Sequence, residues 1–312
     1  MRLSEPRGEG TRPVRRFAGT FPTPDTRIVG GAVDLHSHTT ASDGSLAPAE
    51  LVRAAARRGV RVLAVTDHDS TEGLAEALAE AARHPPLHIV PGIEINCDVD
   101  RAEIHVLGYL MAYEAPWFQE FCTSQRAMRR ERVLRMTERL AELGMPVDPE
   151  RVFAIVQEGS AGRPHVAQAM VERGYVKTVR EAFDKYIGGG KPAYVPRAKL
   201  LPADAVRLIR KAGGVPVFAH PGLARRDELI PELVAAGLMG IECYYPEHSA
   251  AQTGHYVQTC KDLGLIATGG SDFHGPRVRA GSLGIPSVPM AVWETLQEKA
   301  AEARRTAAPR ST

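Results

Sequence analysis

The chain has 312 residues, with 39 Lys and Arg against 37 Asp and Glu, a net charge of +2. So even a balance gives no broad positive field, which disfavours stable binding to duplex DNA and leaves only local basic patches. Hydrophobic residues make up 44%, enough for one large α/β domain or one domain with a sizeable insertion, and no window approaches the ~18 continuous apolar residues of a membrane span.

Residues 1–30 are rich in Arg, Pro, Gly and Thr and carry no periodicity, which predicts a disordered extension. They contain no apolar run of the secretory kind, so the expected location is cytoplasmic. Cys97, Cys122, Cys243 and Cys260 are scattered without a CxxC pair. They are expected to be reduced thiols, mostly buried as small apolar residues.

From Ala32 onward short apolar runs alternate with Ala/Leu/Arg-rich stretches of helical spacing, an α/β pattern. The first strand is predicted at Ala32–Leu35. A helix follows from Pro48 to about Arg58, opened by proline in its first turn and stopped by Gly59. Val60–Thr66 is the second strand, and a helix from about Thr71 to Arg83 comes next. His88–Val90 with Gly92–Ile95 makes a third strand, and Glu103–Leu110 a fourth.

The rhythm then turns helical, with Gln125–Leu143 the clearest amphipathic helix. The Gly188-Gly189-Gly190 run and Pro192 break it, and alternation returns from Pro202 through GVPVFAHPG, GLMGIECYY and GLIATGGSDFH. The simplest organisation is a barrel at 31–110 and 201–303, a helical insertion at 111–200 and a tail at 304–312.

Polar residues recur where these strands end. His36 and His38 follow the first strand, with Asp43 in the same loop. Asp67, His68 and Asp69 follow the second, Glu94 lies in the third, His105 in the fourth. His220 follows GVPVFA, and Asp272 and His274 follow GLIATGGS. In a barrel such ends converge on one mouth. Any single histidine there reads as a satisfied residue near the core. The repetition does not, because histidines and carboxylates are costly to cluster unless a cation sits among them. Mixed imidazole and carboxylate donors suit Zn, Mn or Fe. Asp67 and Asp69 read equally as supports of the ligands or, for Asp69, as a helix cap. His84, His88, His248 and His255 are expected to be outside the chemistry.

HxHxxxxD, DHD, GxE, EIHxLGY, FAHPG and SDxH follow one another in that order. With these motifs, over residues 32 to about 290, the sequence resembles the PHP (polymerase and histidinol phosphatase) family. Within it, the pattern is similar to the phosphoesterases with a helical insertion that act on nucleoside 3′,5′-bisphosphates and on the 5′ ends of short RNAs. The resemblance implies a distorted (β/α)7 barrel with three divalent metals at its mouth, Mn2+ by family likeness with Fe2+ or Zn2+ as alternatives. It places one metal on His36, His38, Glu94 and Asp272. A second would be held by Glu94, His105 and His220, and a third by Asp43, His68 and His274. Hydrolysis by a metal-bridging hydroxide follows, with His36, His38, Glu94, Asp272 and His274 as the catalytic set and no Ser or Cys nucleophile.

On the substrate side, the arginines of 126–135 read equally as a solvated helix face paired with Glu131 and Glu138 and as cations for substrate. Gly162-Arg163-Pro164-His165 differs, because it sets cations where a helix begins, a position that already favours anions. Arg163 and His165 are therefore expected to hold a second, non-reacting phosphate, with Arg197 in the same substrate set; Tyr244, with Tyr245 after it, reads equally as a face for a base and as half-buried barrel packing. The competing readings are histidinol-phosphate phosphatase and a non-catalytic metal-binding module. A C–N amidohydrolase fits less well, because no lysine follows a central strand.

Overall fold

The computed structural model describes residues 32–99, 102–156, 161–196, 200–276 and 281–307. The expected N-terminal extension and Arg197 lie outside the described residues. Strands β1 (Val33–Asp34), β2 (Val62–Val65), β3 (His88–Val99), β4 (Ala102–Tyr109), β5 (Val215–Phe218), β6 (Gly240–Tyr244) and β7 (Ile266–Gly269) lie side by side in chain order. The ends meet: Leu35 N donates to Gly269 O at 3.1 Å, and Ser37 bridges Phe273. The result is a nearly closed seven-stranded barrel. Glycine is required where β7 leaves β1, because a Cβ at Gly270 would sit 2.4 Å from the His36 backbone nitrogen.

The barrel departs from a regular (β/α)7 plan at β3 and β4. These two form an antiparallel hairpin with no helix between them, and β4 is antiparallel to β5 as well. The third strand, expected at His88–Val90 with Gly92–Ile95, runs through Pro91 and on to Val99. β3 pairs with β2 as far as Pro91 and with β4 from Gly92, so the proline sits where one partner hands over to the other.

Alternation then decides what faces inward. Ile93, Ile95 and Cys97 of β3 and Ile104 and Val106 of β4 pack outward, in a core shared with Val206 and Ile209 of α7 (Pro202–Lys211). Glu94, Asn96 and His105 take the other face, and deeper in the barrel Leu107, Tyr109, Val215 and Val217 fill the interior. Each fully buried aliphatic side chain there contributes about 1.5–3 kcal/mol. Helix α11 (Met290–Ala307) joins that interior core through Val292, Trp293 and Leu296. It corrects the expected tail, because residues 304–307 are still helical.

Between β4 and β5 lie α3 (Pro116–Glu142), α4 (Pro149–Val156), α5 (Arg163–Glu172) and α6 (Val179–Ala182), which runs on into a π turn at Phe183–Ile187. They build a core of their own around Val133, Met136, Leu140, Val152, Val166 and Ile187. α3 starts nine residues before the predicted Gln125, and its two halves serve two cores. Phe118 and Cys122 pack on the barrel, and Met136 and Leu140 pack within the insertion. That division blurs a single amphipathic stripe. No described helix is long and apolar enough to cross a membrane.

Candidate metal centre

The polar strand ends do converge. Two loop histidines, His36 and His38, are fully buried after β1, and Glu94 is 1% exposed on β3. Three residues at this mouth hold left-handed backbones without being glycine: Asp69 at φ 50°, His220 at φ 28° and Asp272 at φ 50°. Each such conformation costs of order 1–3 kcal/mol and persists only where surrounding bonds over-determine it.

Three donor groups can each surround an ion: His36, His38, Glu94 and Asp272; His38, Asp43, His68 and His274; and His68, Glu94 and His105. Glu94 is the hub. Its Oε2 lies 3.2 Å from His36 Nε2 and from His38 Nε2 and 3.1 Å from His68 Nδ1, and its Oε1 lies 2.7 Å from His105 Nδ1 and 3.1 Å from His220 Nε2. Asp272 Oδ1 completes the first group at 3.4 Å from His36 and 3.2 Å from His38. Asp43 stands 3.2 Å from His274 Nε2 and 3.7 Å from His68 Nε2. The grouping differs from the expected one in three ways. His38 is shared by two groups, His68 stands nearer to Glu94 than to Asp43, and His68 takes the place expected of His220 beside Glu94 and His105, whereas His220 meets Glu94 Oε1.

A cation suits this donor set. His36 Nε2, His38 Nε2 and Glu94 Oε2 are buried with no hydrogen-bond partner among the described residues. All three belong to the first donor group, the two imidazole nitrogens each 3.2 Å from Glu94 Oε2. Leaving such groups unsatisfied costs about 1–3 kcal/mol apiece, which a divalent ion would recover.

The electrostatics of the protein without metal follow from the same crowding. Burial opposes charge on Asp43 and Glu94, but the His274 and His68 imidazoles hold Asp43 well below the usual carboxylate range, and His68, His105 and His36 do the same for Glu94. Burial works against a charged His274, yet Asp43 and Asp272 raise it to about 10, whereas burial drives His68 down to about 3. A metal entering the Asp43–His274 group must therefore displace a proton. Apparent metal affinity is expected to strengthen with rising pH up to about 10, roughly tenfold per pH unit for one displaced proton. Calorimetric titration in buffers of different ionisation enthalpy would register that release; buffer-independent heats would contradict it.

The supporting bonds come largely from residues without a motif. Glu242 on β6, 0% exposed, lies 2.9 Å from His36 Nδ1 through Oε1 and accepts from His220 N at 2.8 Å through Oε2. Asp69 does not cap a helix. It accepts from Asn96 N at 3.0 Å, Asn96 Nδ2 at 3.2 Å and Arg129 Nε at 2.7 Å, and Asn96 Nδ2 is 3.0 Å from His68 Nδ1. Asp67 braces the histidine loop by accepting from Thr39 N and Oγ1 and from Ser42 Oγ. His248 is half-buried and not a surface residue; Gly222 N donates to its Nε2 at 3.2 Å.

The insertion residues are placed as follows. Arg163 opens α5 with its guanidinium ion-paired to Glu103, two residues before His105. His165 is buried, and its Nδ1 accepts from Gly162 N at 3.1 Å. Tyr244 is half-buried and packs against both barrel cores. Its neighbour Tyr245 reaches the centre, donating to Asp272 Oδ2 at 2.8 Å. A bulge between Glu242 and Tyr244 shifts the alternation and so selects Tyr245. A cleft between barrel and insertion is lined by Asp69, Asn96, Arg129, Arg132, Arg135 and Pro196, among others.

Comparison with known proteins agrees with this geometry. Residues 34–187 match the model of the PHP domain family. The chain is 34% identical over 286 residues to the 3′,5′-nucleoside bisphosphate phosphatase of Chromobacterium violaceum, a match covering 86% of this chain and 97% of that protein. It is 34% identical over 256 residues to the 5′-3′ exoribonuclease Rnm of Escherichia coli, covering 78% and 85% respectively. A crystal structure of a metal-dependent phosphoesterase from Bifidobacterium adolescentis superposes with a TM-score of 0.78 at 30% identity, covering 86% of this chain and 96% of that one.

Proposed function

This chain belongs to the PHP domain family and is a metal-dependent phosphoric ester hydrolase, and from that premise we propose that its substrates are phosphorylated nucleotides. The reaction is release of the 3′-phosphate from a nucleoside 3′,5′-bisphosphate, or of nucleotides from the 5′ end of a short RNA. The observation that carries this reading is a cleft between barrel and insertion, lined by Asp69 and Asn96, which brace the His/carboxylate centre, and by Arg132 and Arg135 of α3. A substrate with a single small phosphate ester has no use for cations so placed.

The centre is assigned three divalent ions, Mn2+ by family likeness. His36, His38, Glu94 and Asp272 would hold one. Glu94, His105 and His220 would hold a second, with His68 close by, and Asp43, His68 and His274 a third. Ions there supply Lewis acidity toward the phosphoryl oxygens and lower the pKa of water. The chain's own residues do the rest. Glu94 ties the groups together, Tyr245 fixes the angle of Asp272, and the strained backbones of His220 and Asp272 aim their side chains inward. Arg163 uses one edge of its guanidinium on Glu103; with five N–H donors it keeps others for a phosphate. The start of α5 adds to that positive end, whereas His165, buried and accepting through Nδ1, brings no charge of its own; Arg197 is assigned to the same role from the sequence. The four cysteines are buried thiols outside any disulfide, which suits a reducing cytoplasm.

Arg163→Ala tests the clamp. KM for adenosine 3′,5′-bisphosphate is expected to rise about tenfold or more with kcat little changed, from loss of a charge-assisted bond. KM for a substrate lacking the second phosphate should not move. Equal KM values for wild type and variant on the bisphosphate would rule the clamp out.

A further inference from the structure

Glu242 is a buried carboxylate for which the proposed reaction has no direct use. It sits on the inner face of β6 with 0% exposure, and both its oxygens are engaged. Oε1 is 2.9 Å from His36 Nδ1, and Oε2 accepts the backbone N–H of His220 at 2.8 Å. The two imidazoles it reaches are near parallel, at an interplanar angle of 17° with centroids 5.8 Å apart, and both address Glu94 from their Nε2 atoms.

We propose that Glu242 is a positioning residue that sets which nitrogen of His36 faces the metal and where His220 stands. A carboxylate offers only acceptors, so His36 must keep its proton on Nδ1. That leaves the Nε2 lone pair pointing at the space shared with Glu94 and Asp272. At His220 the same side chain anchors a backbone held at φ 28°, a conformation that needs an external tether. One carboxylate thus couples two ligands that come from different strands and, in the proposed assignment, serve different ions. Outer carboxylates of this kind raise ligand basicity and orient the ring, and removing one typically weakens metal binding ~10–100-fold. The inference rests on the proposed ligand assignment and adds to it a determinant of metal affinity on β6.

The test is stepwise Mn2+ titration of the metal-stripped full chain, comparing wild type with Glu242→Gln and Glu242→Asp, alongside thermal melting of each metal-free protein. Glutamine presents one acceptor and one donor to two N–H groups, so it can satisfy only one of them. The expected result is a cooperatively melting Glu242→Gln protein in which the sites that use His36 and His220 weaken ~10–100-fold. The site built from Asp43, His68 and His274 should keep its wild-type affinity, and Glu242→Asp should recover part of the loss. Wild-type affinity at every site in Glu242→Gln would overturn the inference. So would equal weakening of all sites together with lost cooperative melting in both variants, which would make Glu242 a scaffold residue. A wild-type protein that bound no Mn2+ would overturn the ligand assignment itself, a failure visible before either variant is measured.

Discussion

Glu94→Gln is expected to lower kcat/KM for a nucleoside bisphosphate by about a thousandfold and to reduce metal content at more than one site. The reason is geometric. Five imidazoles lie within 3.2 Å of its two carboxylate oxygens. Glutamine keeps the shape but turns one oxygen into a donor and removes the charge that balances the cations. Loss of a shared metal ligand withdraws several kcal/mol of transition-state stabilisation, and each 1.36 kcal/mol is a factor of ten. The folded barrel should survive, because the neighbours Ile93 and Ile95 supply the outward packing of β3. Steady-state kinetics with elemental analysis of the purified variant checks both parts. A variant with full metal content and wild-type turnover would remove Glu94 from the centre.

The second large effect lies away from the centre. Arg129→Met should destabilise the protein by about 3–5 kcal/mol, because it strands a buried carboxylate. Arg129 is 7% exposed and Asp69 1%, and the guanidinium meets Asp69 Oδ2 through Nε at 2.7 Å and Nη2 at 2.6 Å. At this chain length that corresponds to a fall in Tm of roughly 10 °C. The double variant Arg129→Met/Asp69→Asn should regain much of it, since no buried charge is then left alone. The pair also links α3 to the centre, because Asp69 holds Asn96 and Asn96 meets His68. Thermal denaturation of both variants settles the point; a single variant melting with wild type would show that the pair contributes nothing.

How much of this was legible in the sequence depends on the kind of residue. The candidate ligands were readable because ligation restricts a position to a few residue types, and the strand ends repeat that restriction from motif to motif. Glu242 and Asn96 were not, because each is an isolated polar residue in an apolar strand, and its partner lies far away in sequence. Which of Tyr244 and Tyr245 reaches the centre was not legible, because the bulge that turns Tyr245 inward has no sequence mark. The antiparallel pairing of β3 with β4 was not legible, because strand spacing does not say which neighbour a strand pairs with, and β3 changes partner at Pro91-Gly92. α3 was shortened because its two halves face different cores.

The central claim is metal-dependent hydrolysis of a phosphorylated nucleotide, and one measurement tests it most directly. The protein is stripped of metal, reloaded with Mn2+ and assayed for phosphate release from adenosine 3′,5′-bisphosphate, with His36→Ala as control. The account predicts release that requires Mn2+ and disappears in His36→Ala. A fully metal-loaded protein that leaves the bisphosphate intact and turns over histidinol phosphate instead would contradict it.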